Sequence, residues 1–460
     1  MQKYILFGAG KYVYDYIHVI QFLGGNVEFI VDNNNVKQGE TIEGIEIVSP
    51  KKLFSNDYPI LISSVHQNEI EKQLAEMLIQ CREISLYDCL STLLIETGNR
   101  FSWEQSNNNA QGLFFDLFSG AKWGGAENWN IRVAEEVNQR TNLYNVSLIA
   151  DDCIEVKEKV NVDINYISRE NLYQIIFDLV RKQSKVVFVN SFFGELFFAM
   201  MAIKLMYPEN VKIVTVVHND YEDLYTLCDM FKEFVDKYIC VSSKILATLY
   251  TDYEVAEEKA TFLYQPITFD RVYEKKYEID NPIKIGFASR LVIPQKRCDL
   301  IPDLISELEK TGVEYVLHIA GDGDMYHELA EYIESMGFIK KVILHGHLDS
   351  KQMIEFWKNS DIYVNISEFE GTSLSMLEAM GFCCVPVVTD VSGVNDYIED
   401  GVNGYIHQIG DLEGIASSIA KLAKDRKMLE KLGQRSHKQI VKKCNIADYS
   451  EKLIREIERE

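Results

Sequence analysis

Positive charge is what this 460-residue chain has least of: 47 Lys and Arg stand against 70 Asp and Glu, a formal net charge of -23. A general nucleic-acid binder needs a basic footprint to neutralise phosphate, so that class is excluded. Broad electrostatic adhesion to an anionic membrane is disfavoured for the same reason. One local exception lies near the C-terminus, where Lys421, Lys424, Arg426, Lys427, Lys431, Arg435, Lys438, Lys442 and Lys443 cluster. They read as the solvated face of one or two helices. The nine cysteines lack metal-ligand spacing, and the adjacent Cys383 and Cys384 lie in an apolar run, as buried small hydrophobes do. Reduced thiols in a cytoplasmic protein are the expectation. The opening residues hold no basic segment followed by an apolar stretch, so no secretory signal is expected. The greasiest run, Ser191–Tyr207, carries Glu195 and Lys204 and falls short of the ~20 apolar residues of a bilayer span. It reads as a buried crossover helix. Short-period repeats and low-complexity tracts are also missing.

What is present is a large core and a regular alternation. The hydrophobic fraction is 47%, with 25 Tyr and 23 Phe, and the length implies two or three domains. Short apolar strands alternate with helical patterns, the signature of parallel sheets built from βαβ units. The first block, residues 1–98, has strands near Tyr4–Phe7, Val27–Val31 and Ile60–Ser63. The polar stretch 99–112 reads as a linker. A second block, 113–278, opens with Leu113–Leu117 and the turn SGAKWGGAE and includes strands at Lys185–Val189 and Lys212–Val217. The third, 279–460, begins with the strand Ile283–Ala288 and ends in helices.

The third block carries the chemistry. ASRLVIPQKR places Arg290 and Lys296 just beyond the carboxyl end of a strand, where ligands of open α/β sheets bind. Two fixed cations suit a diphosphate, Arg as a bidentate donor and Lys as a point charge. Gly321 and Gly323 form a tight turn after the strand Tyr315–Ala320, and Gly346 ends another strand. These glycines serve either close approach to a ligand or a simple positive-φ turn. In SEFEGTSLSMLEAMGFCCVPVVTD, Glu368 and Glu370 stand in a loop, and Thr372 or Ser373 caps a helix through Leu374 to about Met380. Free N–H groups at that helix start make a phosphate site. Glu378 lies inside that helix, about 8 Å further along its axis at 1.5 Å per residue. The spread suits contacts to two sugar rings on either side of a diphosphate.

In their order, RLVIPQK, AGDG, LHGH, EGTSLSMLE, EAM and PVVTD resemble glycosyltransferase family 4, the large retaining family with the GT-B fold. GVNDYIEDGVNGYI, Gly393 to Ile406, is similar to the family's G-x-x-E…G-x-N-G segment, with Asn395–Asp396 near where many members have Pro-Glu. WGGAE, Trp123 to Glu127, matches the Gly-rich loop that opens the family's N-terminal domain. VVHND puts His218 at a strand end, like the family's histidine near the donor sugar; alone, it would read as a core histidine. The resemblance covers about Gly112 to Lys443.

It implies an α/β GT-B enzyme, two Rossmann-like domains facing a cleft, preceded by a small Rossmann-like accessory domain. Retaining, metal-independent transfer would run from a nucleotide diphosphate sugar, most simply a UDP-sugar. The acceptor would be a glycan, a lipid-linked sugar or a protein, in surface polysaccharide or glycoconjugate synthesis. Arg290 and Lys296 would stabilise the leaving diphosphate, Glu370 bind donor-sugar hydroxyls, Glu378 the ribose, and His218 the sugar or phosphate. Gly124 and Gly125 would let amides approach the donor, as would amides at Thr372, Ser373 and Leu374. No cofactor is essential to such a reaction. Peripheral association with the inner face of the membrane is compatible with it. Two alternatives stay open: a GT-B sugar-nucleotide epimerase, and a non-catalytic GT-B-like partner of a glycosylated protein or a second transferase.

The first block starts FGAGKYVYDYI, with Gly8 and Gly10 between strand and helix and Val13 where a dinucleotide fingerprint has its third glycine. Asp32 stands about where a ribose-binding acid would. NAD is one reading of this module; a nucleotide-free structural, docking or oligomerisation role is preferred, with homo-oligomers one form of it.

Overall fold

The computed structural model describes residues 2–77, 79, 83–98, 101–103, 111–118, 124–153, 160–269, 273–278 and 281–459. Three sheets follow one another along the chain. The first has five strands in the spatial order Thr41–Ile42, Ile45–Val48, Asn26–Val31, Lys3–Phe7, Ile60–Ile62, all parallel except the first pair. The second has seven parallel strands, with Val186–Asn190 and Gln111–Leu117 in the middle of the order. The third has six parallel strands around Ile283–Ala288 and Ile362–Asn365. The expected α/β architecture is therefore what the chain adopts. Central strands such as Val186–Asn190 are buried at every position because helices cover both sheet faces.

The apolar helix anticipated within Ser191–Tyr207 runs from Glu195 to Met206, and nine of its residues are buried. A helix greasy all round must be covered all round. The second sheet lies on one side and helices of the first block lie on the other, with the Tyr16 and Phe198 rings 5.6 Å apart. First and second blocks thus share one hydrophobic core.

The domain edges differ from the sequence reading in two places. Of the stretch expected to be a linker, residues 99–100 and 104–110 lie outside those described. The rest is docked: Phe101 stacks on Phe22 and packs at a tilt against Phe177, Trp103 Nε1 donates to the Gln183 carbonyl at 2.9 Å, and Gln111–Gly112 already belong to a strand. Two aromatic side chains are enough to hold an otherwise polar segment. The last helix, Ile446–Glu458, was expected in the third domain. It packs instead on the helix Gly125–Arg140, burying Tyr449, Leu453 and Ile457 in the middle domain's core. Lys237 and Glu456 meet there at 2.9 Å. The chain thus crosses between middle and third domains twice. The crossings lie side by side, the Ile267 N–H donating to the Cys444 carbonyl at 3.2 Å.

The C-terminal lysines behave as anticipated. Lys427, Lys431, Arg435, Lys438 and Lys442 are exposed along one stripe of the helix Arg426–Lys443, while Lys443 turns inward to the Asp396 carbonyl at 2.6 Å. Among the described residues no helix is long and apolar enough to cross a membrane.

In the first module, Asp32 is engaged by its own turn. One carboxylate oxygen accepts the Ala9 N–H at 2.7 Å and the other the Asn34 N–H at 2.7 Å, while Lys37 Nζ donates to the Ala9 carbonyl at 2.8 Å. The position that resembles a ribose-binding acid therefore pins the Gly8–Gly10 loop.

Candidate active site

The carboxyl edges of the second and third sheets face each other, and the two domains touch. Each sheet edge presents a helix start. In the middle domain Gly124 caps the helix Gly125–Arg140, and the Glu127 carboxylate accepts the Gly124 N–H at 3.0 Å. In the third domain Ser373 caps Leu374–Gly381, its hydroxyl accepting the Met376 N–H at 3.4 Å. A side chain placed on Gly125 would contact Leu374 at 3.7 Å. Two helix N-termini, each with a partial positive charge, therefore converge on one place.

Lys296 and Glu370 meet at this edge. Lys296 Nζ donates to Glu370 Oε1 at 2.5 Å, and the same oxygen accepts from Ser367 Oγ at 2.8 Å and Asn365 Nδ2 at 3.4 Å. The Glu370 side chain is only 5% exposed and that of Lys296 15%. Arg290 is exposed and reaches Gln295 at 3.3 Å, so its guanidinium faces solvent at the mouth. Gln295 in turn contacts Asn219 of the middle domain at 3.4 Å.

The domain contact is tight beside Glu370. At Gly371 a Cβ atom would overlap the carbonyl oxygen of His218, so only glycine lets the backbones approach. Thr372 Oγ1 donates to the Val241 carbonyl at 2.8 Å, and Ser242 and Ser392 share a hydrogen bond of 2.7 Å. His218 packs its ring edge-on against Trp129, centroids 5.3 Å apart, with Ser191 Oγ 3.3 Å from Nε2. Burial lowers its pKa to about 4, which keeps the imidazole neutral at pH 7.

The glycines of the third domain have distinct local surroundings. At Gly321, φ is +134°, and a Cβ would run into the Ser289 carbonyl; at Gly323 it would meet the Leu291 carbonyl at 2.5 Å. These two glycines let the loop bearing Arg290 lie across them. Gly346 has φ +67° and open space around it; its carbonyl accepts the Gly321 N–H at 2.8 Å. It is a turn.

Glu378 is held by a residue the sequence did not single out. Arg132, on the Gly125–Arg140 helix, donates to Glu378 Oε1 at 3.1 Å across the domain boundary. Asp116, at the end of the central strand Gln111–Leu117, was missed as well. Burial raises its carboxyl pKa to about 7, and nearby Asn130 donates to Ser191 at 2.9 Å, linking this edge to His218. An acid inside the apolar run GLFFDLF was the available signal. Trp123 lies outside the described residues.

Two Rossmann-like domains facing across such a cleft define the GT-B fold. Residues 270–439 match the family model described as Glycosyl transferases group 1, and residues 1–85 match one described as C2185-like, N-terminal. The chain is 30% identical over 172 residues to poly(ribitol-phosphate) alpha-N-acetylglucosaminyltransferase of Staphylococcus aureus (strain COL), covering 37% of this chain and 34% of that protein. It is 26% identical over 193 residues to lipopolysaccharide 1,6-galactosyltransferase of Salmonella typhimurium, covering 41% and 53%. The chain thus spans between a third and about half of the length of these curated relatives. Among solved structures, Anabaena HepE in complex with UDP and glucose superposes with a TM-score of 0.63 at 15% identity, over 76% of this chain and 99% of that one.

Proposed function

We propose that this chain is a retaining, metal-independent glycosyltransferase. It moves a sugar from a UDP-sugar to a glycan, lipid-linked or protein acceptor at the cytoplasmic side, in surface polysaccharide or glycoconjugate synthesis. The observation that carries the reading is the convergence at one cleft of two helix N-termini with Lys296, Glu370 and the solvent-facing Arg290. A diphosphate seated there takes amide N–H groups from Thr372 to Leu374 and charge from Arg290 and Lys296. That fixed charge stabilises the leaving group, the work a divalent ion would otherwise perform. Glu370 then turns from Lys296 to donor-sugar hydroxyls, and Glu378 accepts from the ribose. The neutral His218 contacts the reacting sugar or its phosphate as a hydrogen-bond partner without added charge. The Asp32 contacts within the first module favour a structural role there over NAD binding.

Thermal-shift screening against UDP-, GDP- and ADP-sugars tests the donor, because a ligand that binds the folded state raises its melting temperature. UDP release from the stabilising donor, with the anomeric configuration of the product read by NMR, tests the reaction. Glu370→Ala and Lys296→Ala are expected to abolish release in folded protein; normal turnover in both overturns the assigned site.

A further inference from the structure

Beside the candidate cleft lies a second concavity, lined by none of the residues assigned to the donor. It measures about 410 Å³ and is walled by Tyr221, Glu222, Tyr225, Asp252 and Tyr253 of the middle domain and by Asn68 of the first module. Asn68 stands just after Ser63 and Ser64, at the carboxyl end of the first module's Ile60–Ile62 strand. The ligand-binding edge of a Rossmann-like sheet is therefore turned toward the middle domain's acceptor-side loop.

The lining has a definite chemistry. The buried Tyr225 ring backs that of the half-buried Tyr253, centroids 5.4 Å apart and planes 24° off parallel, and Tyr221 is exposed beside them, so Tyr221 and Tyr253 give the groove its open aromatic surface. Tyr225 OH is fixed to Asp220 at 2.7 Å, and Asp220 is neutralised by Lys244 at 2.9 Å. Glu222 and Asp252 are exposed and have no cation partner among the described residues. Aromatic faces take the C–H face of a pyranose, while carboxylates and an amide take its hydroxyls. Two uncompensated carboxylates repel a phosphate or uronate chain, by ~1 kcal/mol per charge pair at 4 Å in water.

The groove also points at the reacting centre. The Tyr221 ring lies 6.0 Å from that of Phe369, the neighbour of Glu370. Tyr221 follows His218 by three residues, a reach of about 10 Å at most.

We propose that this groove is an acceptor subsite for a neutral glycan, and that the first module supplies one of its walls through Asn68. The assignment rests on the transferase reading above and narrows it: the accessory module selects acceptors.

Saturation-transfer NMR on the full chain, in the presence of UDP, tests it with maltotriose, mannotriose and chitotriose against an oligo(glycerol phosphate) of similar length. At least one neutral trisaccharide is expected to bind, and its affinity to fall at least tenfold in Tyr253→Ala and in Asn68→Ala. Tyr253→Phe should bind as the wild type does. Binding of the glycerol phosphate chain in place of the sugars, an affinity unmoved by both alanine variants, or no response from any neutral trisaccharide overturns the assignment. Calorimetry with UDP alone separates the two readings. Failure of the wild-type chain to bind UDP sinks the donor site, whereas UDP affinity equal in wild type and variants with trisaccharide binding lost supports the groove.

Discussion

Replacing Lys296 by Met leaves the Glu370 carboxylate charged in a site where its side chain is 5% exposed. Breaking a buried ion pair from one side costs ~3–5 kcal/mol. Here Ser367 and Asn365 still donate to Glu370, at 2.8 and 3.4 Å, so a loss of about 2–3 kcal/mol is expected. Glu370→Gln alone keeps the volume and an acceptor for Lys296, and should cost about 1–2 kcal/mol. In the Lys296→Met background the same change removes an orphaned charge, so it should stabilise by about 1 kcal/mol. The sign of Glu370→Gln therefore reverses with the background. Because the chain has several domains, one global unfolding free energy is a poor readout. Hydrogen exchange of the strands Ile283–Ala288 and Val385–Thr389 reports the third domain alone. A 2.8 kcal/mol loss accelerates exchange about 100-fold, since each 1.4 kcal/mol is tenfold. If Glu370→Gln speeds exchange in both backgrounds, Lys296 and Glu370 do not form the pair described.

Further tests address the rest of the cleft. His218 has its pKa lowered from an ordinary value near 6.5 to about 4, so the unfolded chain binds the extra proton first. Stability should be full above pH 6.5 and decline as pH falls toward 4, by up to about 3 kcal/mol; in His218→Ala, acid titration of the melting temperature should lose that slope. Asp116 is the opposite case, raised to about 7, so its contribution fades as pH rises from about 4 to 7 and Asp116→Asn should flatten that limb. Gly371→Ala places a methyl group against the His218 carbonyl and should hold the domains apart, read as a larger radius of gyration in solution scattering and a transfer rate at least tenfold lower. Arg132→Ala removes a partly buried pair, its side chains 31% and 21% exposed, and should cost about 1 kcal/mol.

Legibility in the sequence followed how local each feature is. Arg290, Lys296, Glu370 and Ser373 each sit within a few residues of a strand end, and the βαβ alternation brings such ends to one edge, so their order was enough to assemble them. The Arg132–Glu378 bridge joins residues 246 apart in the chain and left no local trace. Gly321 and Gly323 were visible as a turn, but the backbone that crosses them, Ser289 to Leu291, is known only once the sheet is built. Glu195–Met206 was read as buried from its apolar character; what buries it, the first module, is a tertiary fact. The destination of the last helix was hidden for a related reason. Its amphipathic pattern shows that one face is covered, not which domain covers it.

The paired crossings at Ile267 and Cys444 have a mechanical consequence. A single linker would let the third domain swivel in any direction, like a ball in a socket. Two segments bonded side by side resist twist and leave bending about their common line as the soft movement, as a door leaf turns on its pins. Any opening of the cleft would then follow one arc, and Gly371 would return to the same seat beside His218 on closing. Under the transferase reading proposed above, alignment of donor and acceptor would be written into the doorframe, so each closure would need no fresh search for register.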